Sequence, residues 1–307
     1  MSEPTLKYLE MPTLAAAGGG ARRLAYWDWA GASTLDASHA VVCVHGLSRQ
    51  GRDFDTLARA LAGRVRVLSV DVAGRGHSDW LADPMGYQIP QYGADIATLL
   101  QHVRAQEGVS TIDWVGTSMG GLIGLGLAAQ AAMGLRRLVL NDVGPAVRWE
   151  ALQRIGTYLG LDPVFDSAEA AIDYLGSISL GFGPHTPEQW RALNLPMLRC
   201  DGDRWRLHYD PAIAVPYRAL MGLDEAQGRA AAAAGEAALW GLYDNLRLPT
   251  LLLRGATSDL LSAETARDMG MRGPCARLVT FDGVGHAPTL VAPDQVETVR
   301  RFLLDMP

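Results

Sequence analysis

Short apolar runs alternate with longer segments of helical periodicity along most of the chain. Leu24–Trp29, Ala40–Val44, Val65–Val70, Ile112–Val115, Leu138–Leu140, Thr250–Leu253 and Leu278–Phe281 read as strands. Residues around 52–62, 91–107, 119–134, 263–271 and 293–304 read as helices. Several strands are apolar at consecutive positions, as in Ala40-Val41-Val42-Cys43-Val44. A strand of that kind has no solvent face, so helices must cover the sheet on both sides. The pattern predicts an α/β fold, a mostly parallel central sheet flanked by helices and joined by right-handed crossovers.

The rhythm breaks once, between Asn141 and Thr250. No convincing strand occurs there, only amphipathic pieces punctuated by Pro and Gly and the alanine run Ala230–Ala234. This assigns 145–236 to an inserted helical cap, with 1–144 and 237–307 forming the core. A chain of 307 residues, 49% of them hydrophobic, is long enough to bury such a core.

Charge and cysteine content narrow the setting. A net charge of −6 argues against nucleic acid or an anionic membrane as partner. Val115–Leu135 is uncharged and long enough to span a bilayer, but Gly116, Thr117, Ser118, Gly120, Gly121 and Gln130 interrupt it, so a buried helix is expected. Cys43, Cys200 and Cys275 are odd in number and share no metal or redox spacing. Met1–Pro12 has no apolar signal segment, so a cytoplasmic protein is expected. The histidines show no HxH or HExxH spacing, and Gly18-Gly19-Gly20 follows no strand and lacks a phosphate-loop lysine, so neither metal nor cofactor is expected. Oligomeric state is left open.

The chemistry is concentrated at strand ends. Gly116-Thr117-Ser118-Met119-Gly120-Gly121 lies between an apolar strand and a helix, the setting in which G-x-S-x-G forms a tight turn presenting its serine. A serine hydroxyl needs an adjacent base, and that base needs an orienting acid. The chain supplies them in the order Ser118, Asp259, His286, each just after a predicted strand. An oxyanion needs donors fixed in advance. The backbone N–H groups of Met119 and of Leu47, in His45-Gly46-Leu47-Ser48, are the expected pair. His45, His77 and Ser78 read as loop-holding residues, and Arg75 as the partner of a carboxylate.

These segments resemble the α/β-hydrolase superfamily. The likeness runs through Val44-His45-Gly46-Leu47, Asp71-Val72-Ala73-Gly74-Arg75-Gly76-His77-Ser78, the serine turn, Leu140-Asn141-Asp142-Val143-Gly144-Pro145, the Asp259 loop and Gly285-His286. The elbow is most similar to those of esterases, enol-lactonases and carbon–carbon bond hydrolases. Serine at position 118, where dehalogenases and epoxide hydrolases carry Asp, argues against those two classes. One feature departs from the resemblance. Many relatives place the acid three residues after the strand-end glycine, whereas Asp259 is four after Gly255. Asp142 also ends a strand, and some members take their acid from there; Asp259 is preferred here.

The resemblance implies a cofactor-independent serine esterase acting on a small-molecule ester through an acyl-enzyme. The same triad would serve a carbon–carbon hydrolase or an enol-lactonase, for which Arg206 and Arg148 are candidate donors to a substrate carboxylate. A slow-turnover ligand receptor on the same fold is the alternative from another class. Trp149, Tyr158, Phe182, Trp190 and Tyr217 either line an acyl pocket or form the core of the cap.

Overall fold

The computed structural model describes residues 3–12, 21–30 and 36–305; Gly18-Gly19-Gly20 lies outside them. The strands are β1 Thr5–Met11, β2 Arg22–Asp28, β3 Asp36–Val44, β4 Val65–Asp71, β5 Thr111–Thr117, β6 Leu135–Asn141, β7 Val164–Phe165, β8 Leu198–Asp201, β9 Arg204–Leu207, β10 Thr250–Gly255 and β11 Arg277–Phe281. Eight of them form the central sheet, in the order β1-β2-β4-β3-β5-β6-β10-β11. Pairing is antiparallel at β1–β2 and β2–β4 and parallel from β4 to β11. All seven expected strands are present. β1 was missed because an antiparallel edge strand is only half covered, so Lys7 and Glu10 interrupt its apolar positions.

The helices are α1 Asp55–Leu61, α2 Ile89–Glu107, α3 Met119–Ala128, α4 Trp149–Tyr158, α5 Ala168–Ile178, α6 Pro187–Asn194, α7 Val215–Met221, α8 Glu225–Asp244, α9 Ala263–Met269 and α10 Pro293–Leu304. They cover both faces of the sheet, as the uninterrupted apolar strands require. Val42, Val44, Leu68 and Val70 pack with Ile96 and Leu99 of α2 and Ile123 of α3. Val41, Cys43, Val65 and Val67, which alternate with them, pack with Leu57 and Leu61 of α1 and Val299 and Phe302 of α10. The uncharged run Val115–Leu135 resolves into the end of β5, the ten-residue α3 and a turn. No helix among the described residues is long and apolar enough to cross a membrane.

The cap between β6 and β10 is mostly helical but contains a small antiparallel sheet, β7-β9-β8. That corrects the expectation of a strand-free insertion. β8 and β9 are four residues each and turn through Gly202 and Asp203. They are too short and exposed to show alternation, although Gly202-Asp203 is itself a hairpin signal. Position 236 falls inside α8, which joins cap to core. Its Gly228 lies against Trp149 of α4, and its buried Tyr243 donates to the Met269 carbonyl in the core.

Two local constraints fix the loops above the sheet. At the serine turn, Ser118 adopts φ 51° and ψ −116°, and the chain doubles back so tightly that strand and helix backbones touch. A Cβ on Gly120 would lie 2.0 Å from the Val44 carbonyl oxygen, and one on Gly116 would lie 2.3 Å from the Gly120 oxygen. In the loop after β3, the fully buried His45 donates from Nδ1 to the Gly46 carbonyl at 2.7 Å and accepts the Val72 N–H at Nε2 at 3.0 Å. The Gly46 carbonyl and the Leu47 N–H belong to one planar peptide unit. The ring therefore sets the direction of the Leu47 N–H. With both nitrogens engaged in this way the imidazole is neutral, and burial depresses its pKa to about 3.

Gly120→Ala should therefore fail to accumulate as soluble folded protein or lose its cooperative thermal transition, because the methyl group meets backbone that cannot move aside. A Gly120→Ala protein with wild-type Tm would contradict the packing described. His45 sets a pH dependence. Below its unfolded pKa of about 6.5 the unfolded chain binds a proton that the folded ring refuses, so stability falls as pH falls from about 6.5 toward 3. Between pH 7 and pH 5 this loss is about 2 kcal/mol. Urea unfolding of His45→Gln should show a pH-dependent loss smaller by about that amount; an identical loss in both proteins would contradict a neutral His45.

Candidate active site

The parallel strands deliver three side chains to one point above their carboxyl ends. Ser118, at the end of β5, stands on the turn with its Oγ 3.0 Å from His286 Nε2. His286 lies in the loop after β11, and its Nδ1 is 2.7 Å from Asp142 Oδ2. Asp142 directly follows β6, between β5 and β10, and is fully buried with φ 55°. Its carboxylate also accepts the Gly255 N–H at 2.9 Å and the Ser258 hydroxyl at 2.6 Å. Neighbouring Asn141 ties the same loops together, donating to Thr117 Oγ1 at 2.9 Å and to the Pro288 carbonyl at 2.8 Å.

This arrangement corrects the expectation that Asp259 orients His286. Asp259 is half exposed, 50% accessible at its side chain, and pairs with Arg154 Nε at 2.7 Å. The physical reason lies one residue earlier. Ser258, three residues after Gly255, turns inward; its Oγ accepts the Leu260 and Leu261 N–H groups and donates to Asp142. That turn sends the next side chain outward. The position where the resemblance expects an acid is thus a serine bound to the acid of the neighbouring strand. The spacing of four rather than three was the available signal.

The two expected oxyanion donors flank Ser118. The amides that follow Met119 are occupied, Gly120 N–H on the His45 carbonyl and Gly121 N–H on the Ser118 carbonyl. Neither Leu47 N–H nor Met119 N–H donates to an acceptor among the described residues. Sequence reasoning missed how both residues are braced. Arg75 is completely buried, and its Nε donates to the Leu47 carbonyl at 2.9 Å while Nη2 lies 3.9 Å from Met119 Sδ. Its Nη1 donates to the Ala73 carbonyl and the Tyr92 hydroxyl, each at 2.8 Å. The expected carboxylate partner is absent among the described residues; carbonyls, a phenol and the faces of Tyr87 and Tyr92 surround the cation instead.

Ser118, His286 and Leu47 line a cleft of about 140 Å³ between core and cap. Tyr158 and Phe182 reach it, whereas Trp149, Trp190 and Tyr217 do not and pack within the cap and its contacts. Arg206 pairs with Asp162 and Asp201, and Arg148 is exposed; neither lines the cleft. Two other arginines do, Arg49 and Arg154.

Known proteins share this architecture. The sequence matches the alpha/beta hydrolase family over residues 41–299. It is 48% identical over 287 residues to a 3-hydroxybutyrate-oligomer hydrolase of Cupriavidus necator, covering 92% of this chain and 93% of that one. It is 29% identical over 277 residues to a pimeloyl-[acyl-carrier protein] methyl ester esterase of Xanthomonas campestris, covering 87% and 96% of the two chains. The crystal structure of an alpha/beta hydrolase from Novosphingobium aromaticivorans superposes with a TM-score of 0.80 at 35% identity, covering both chains completely. The chain belongs to the alpha/beta hydrolase family and is an enzyme of the ester-hydrolysing kind.

Proposed function

We propose that the protein is a serine esterase that cleaves short oligomers of a hydroxy acid such as 3-hydroxybutyrate, using Ser118, His286 and Asp142. The observation that carries the reading is the continuous relay from Ser118 Oγ through both nitrogens of His286 to Asp142. The extent and identity of the match to the oligomer hydrolase support the choice of substrate class.

The reaction follows from the geometry. His286 Nε2 takes the Ser118 proton as Oγ attacks the ester carbonyl carbon. The Leu47 and Met119 N–H groups hold the resulting oxyanion, and Asp142 stabilises the imidazolium. Collapse expels the alcohol, which leaves with the proton held by His286. Water then gives a proton to His286 and its oxygen to the acyl carbon; the serine is reprotonated and the acid departs. Asp142 is suited to its part because the Gly255 N–H and the Ser258 hydroxyl also bind its carboxylate and hold it still. Segment 145–236, read as the cap, would exclude water from the acyl-enzyme while the alcohol leaves. The odd cysteine count supports a reducing, cytoplasmic setting.

The assignment of the acid is tested by two isosteric substitutions assayed on a p-nitrophenyl butyrate substrate. Asp142→Asn should lower kcat by about 10³–10⁴-fold, as loss of the orienting carboxylate does in triads of this kind. Asp259→Asn should stay within a few-fold of wild type, and Ser118→Ala should abolish turnover. Near-normal kcat in Asp142→Asn, or a collapse in Asp259→Asn, would overturn the assignment.

A further inference from the structure

Two arginines line the cleft, and they differ in how far they are satisfied. Arg49 is saturated. Its Nε and Nη2 grip Asp53, Nη2 also reaches the Leu193 carbonyl at 3.0 Å, and Nη1 donates to Asn194 Oδ1 at 2.9 Å. Its charge is cancelled within the cleft, since Asp53 lines the same space. Arg154, on cap helix α4, is bound to an acid through Nε alone. Asp259 does not line the cleft, whereas Arg154 does. The ion pair is 43% exposed on the arginine side and 50% on the aspartate side, so water screens it and it holds the guanidinium only weakly. The terminal nitrogens form the edge that a carboxylate grips with two parallel hydrogen bonds, and they have no acid of their own among the described residues. Tyr158, also lining the cleft, lies against the same guanidinium, and its phenolic oxygen accepts from it.

We propose that Arg154 is the anchor for a free carboxylate on the alcohol side of the scissile ester, and that Asp259 is its internal competitor. The inference rests on the esterase reading above. A hydroxy-acid oligomer ends in a carboxylate carried by the last alcohol unit, so the final ester has an anion on its leaving group. Arg154 would hold that anion while Ser118 attacks the adjoining carbonyl. After cleavage the leaving group is a hydroxy acid bound only by this contact and by the screened competition with Asp259, which favours its release. Asp259, expected from sequence to serve the triad, thereby acquires a different task outside the cleft.

The test separates carboxylate recognition from a simple cap-to-core latch. The substrates are the linear 3-hydroxybutyrate dimer and its primary carboxamide, which is nearly the same in shape but neutral, assayed for release of the first acyl unit. The readout is the ratio of kcat/KM for acid over amide. In Arg154→Gln the ratio should fall by about ten- to hundredfold, the loss expected for hydrogen bonds to a charged group, with the change carried by KM for the acid. In Asp259→Asn it should rise by about two- to fivefold, because the competing anion is gone. Arg154→Lys should recover part of the preference. A latch predicts the same direction for both variants, since either one breaks it; a ratio that moves the same way in both, or in neither, overturns the inference. If wild type cleaves p-nitrophenyl butyrate but neither dimer, the hydroxy-acid reading fails and the anchor with it. Cleavage of both dimers with an indifferent ratio overturns the anchor alone.

Discussion

One buried carboxylate organises the upper face of this molecule. Asp142 receives a backbone N–H from β10, a hydroxyl from the loop beyond it and the imidazole from the loop after β11. A carboxylate removed from water must find such donors or lose its charge. The three partners belong to segments far apart in sequence, so satisfying one group fixes the relative positions of β6, β10 and the histidine loop. Asn141 extends the same connection to β5 and to the Pro288 carbonyl. The geometry of Ser118 and His286 is therefore a consequence of parallel strands ending together and of one acid satisfied between them.

Most of the fold was legible because burial on both faces writes itself into consecutive residues. Val41 through Val44 serve two cores at once, as do Val65, Val67, Leu68 and Val70; among the buried polar residues between them, Arg66 is paired with Asp28. What escaped lacks that double burial. β1 is a covered edge on one side only, and β8 and β9 lie on the cap with Arg199, Arg204 and Arg206 among their residues. The site was readable to the extent that it depends on local turns. Ser118 needs glycines at fixed offsets, and His286 and Leu47 each follow a strand. The acid was not, because Asp142 and Asp259 both end strands and only the inward turn of Ser258 decides between them. That turn depends on which neighbouring strand supplies a hydrogen-bond acceptor, which is a matter of sheet order.

The groups behind the oxyanion donors follow from the same economy of burial. His45 and Arg75 are both inaccessible, and each donates to the main chain of one loop, His45 to the Gly46 carbonyl and Arg75 to the Leu47 carbonyl. They hold successive peptide units of one loop from two sides. His45 does this as a neutral ring and Arg75 as a cation, so the loop is rigid and the local potential positive where an oxyanion would form. The contacts between core and cap are of two kinds: Arg49 is buried against Leu193 and Asn194, whereas the Arg154–Asp259 pair is half exposed and screened by water.

In the proposed reaction Ser118 carries the acyl group between the two half-reactions. Rapid acid quenching during turnover of the linear 3-hydroxybutyrate dimer, followed by proteolysis and mass spectrometry, tests it directly. A 3-hydroxybutyryl group should appear on the peptide containing Ser118, formed and lost at rates that match turnover. Acylation at any other residue, or steady turnover by a protein in which Ser118 is never acylated, would contradict it.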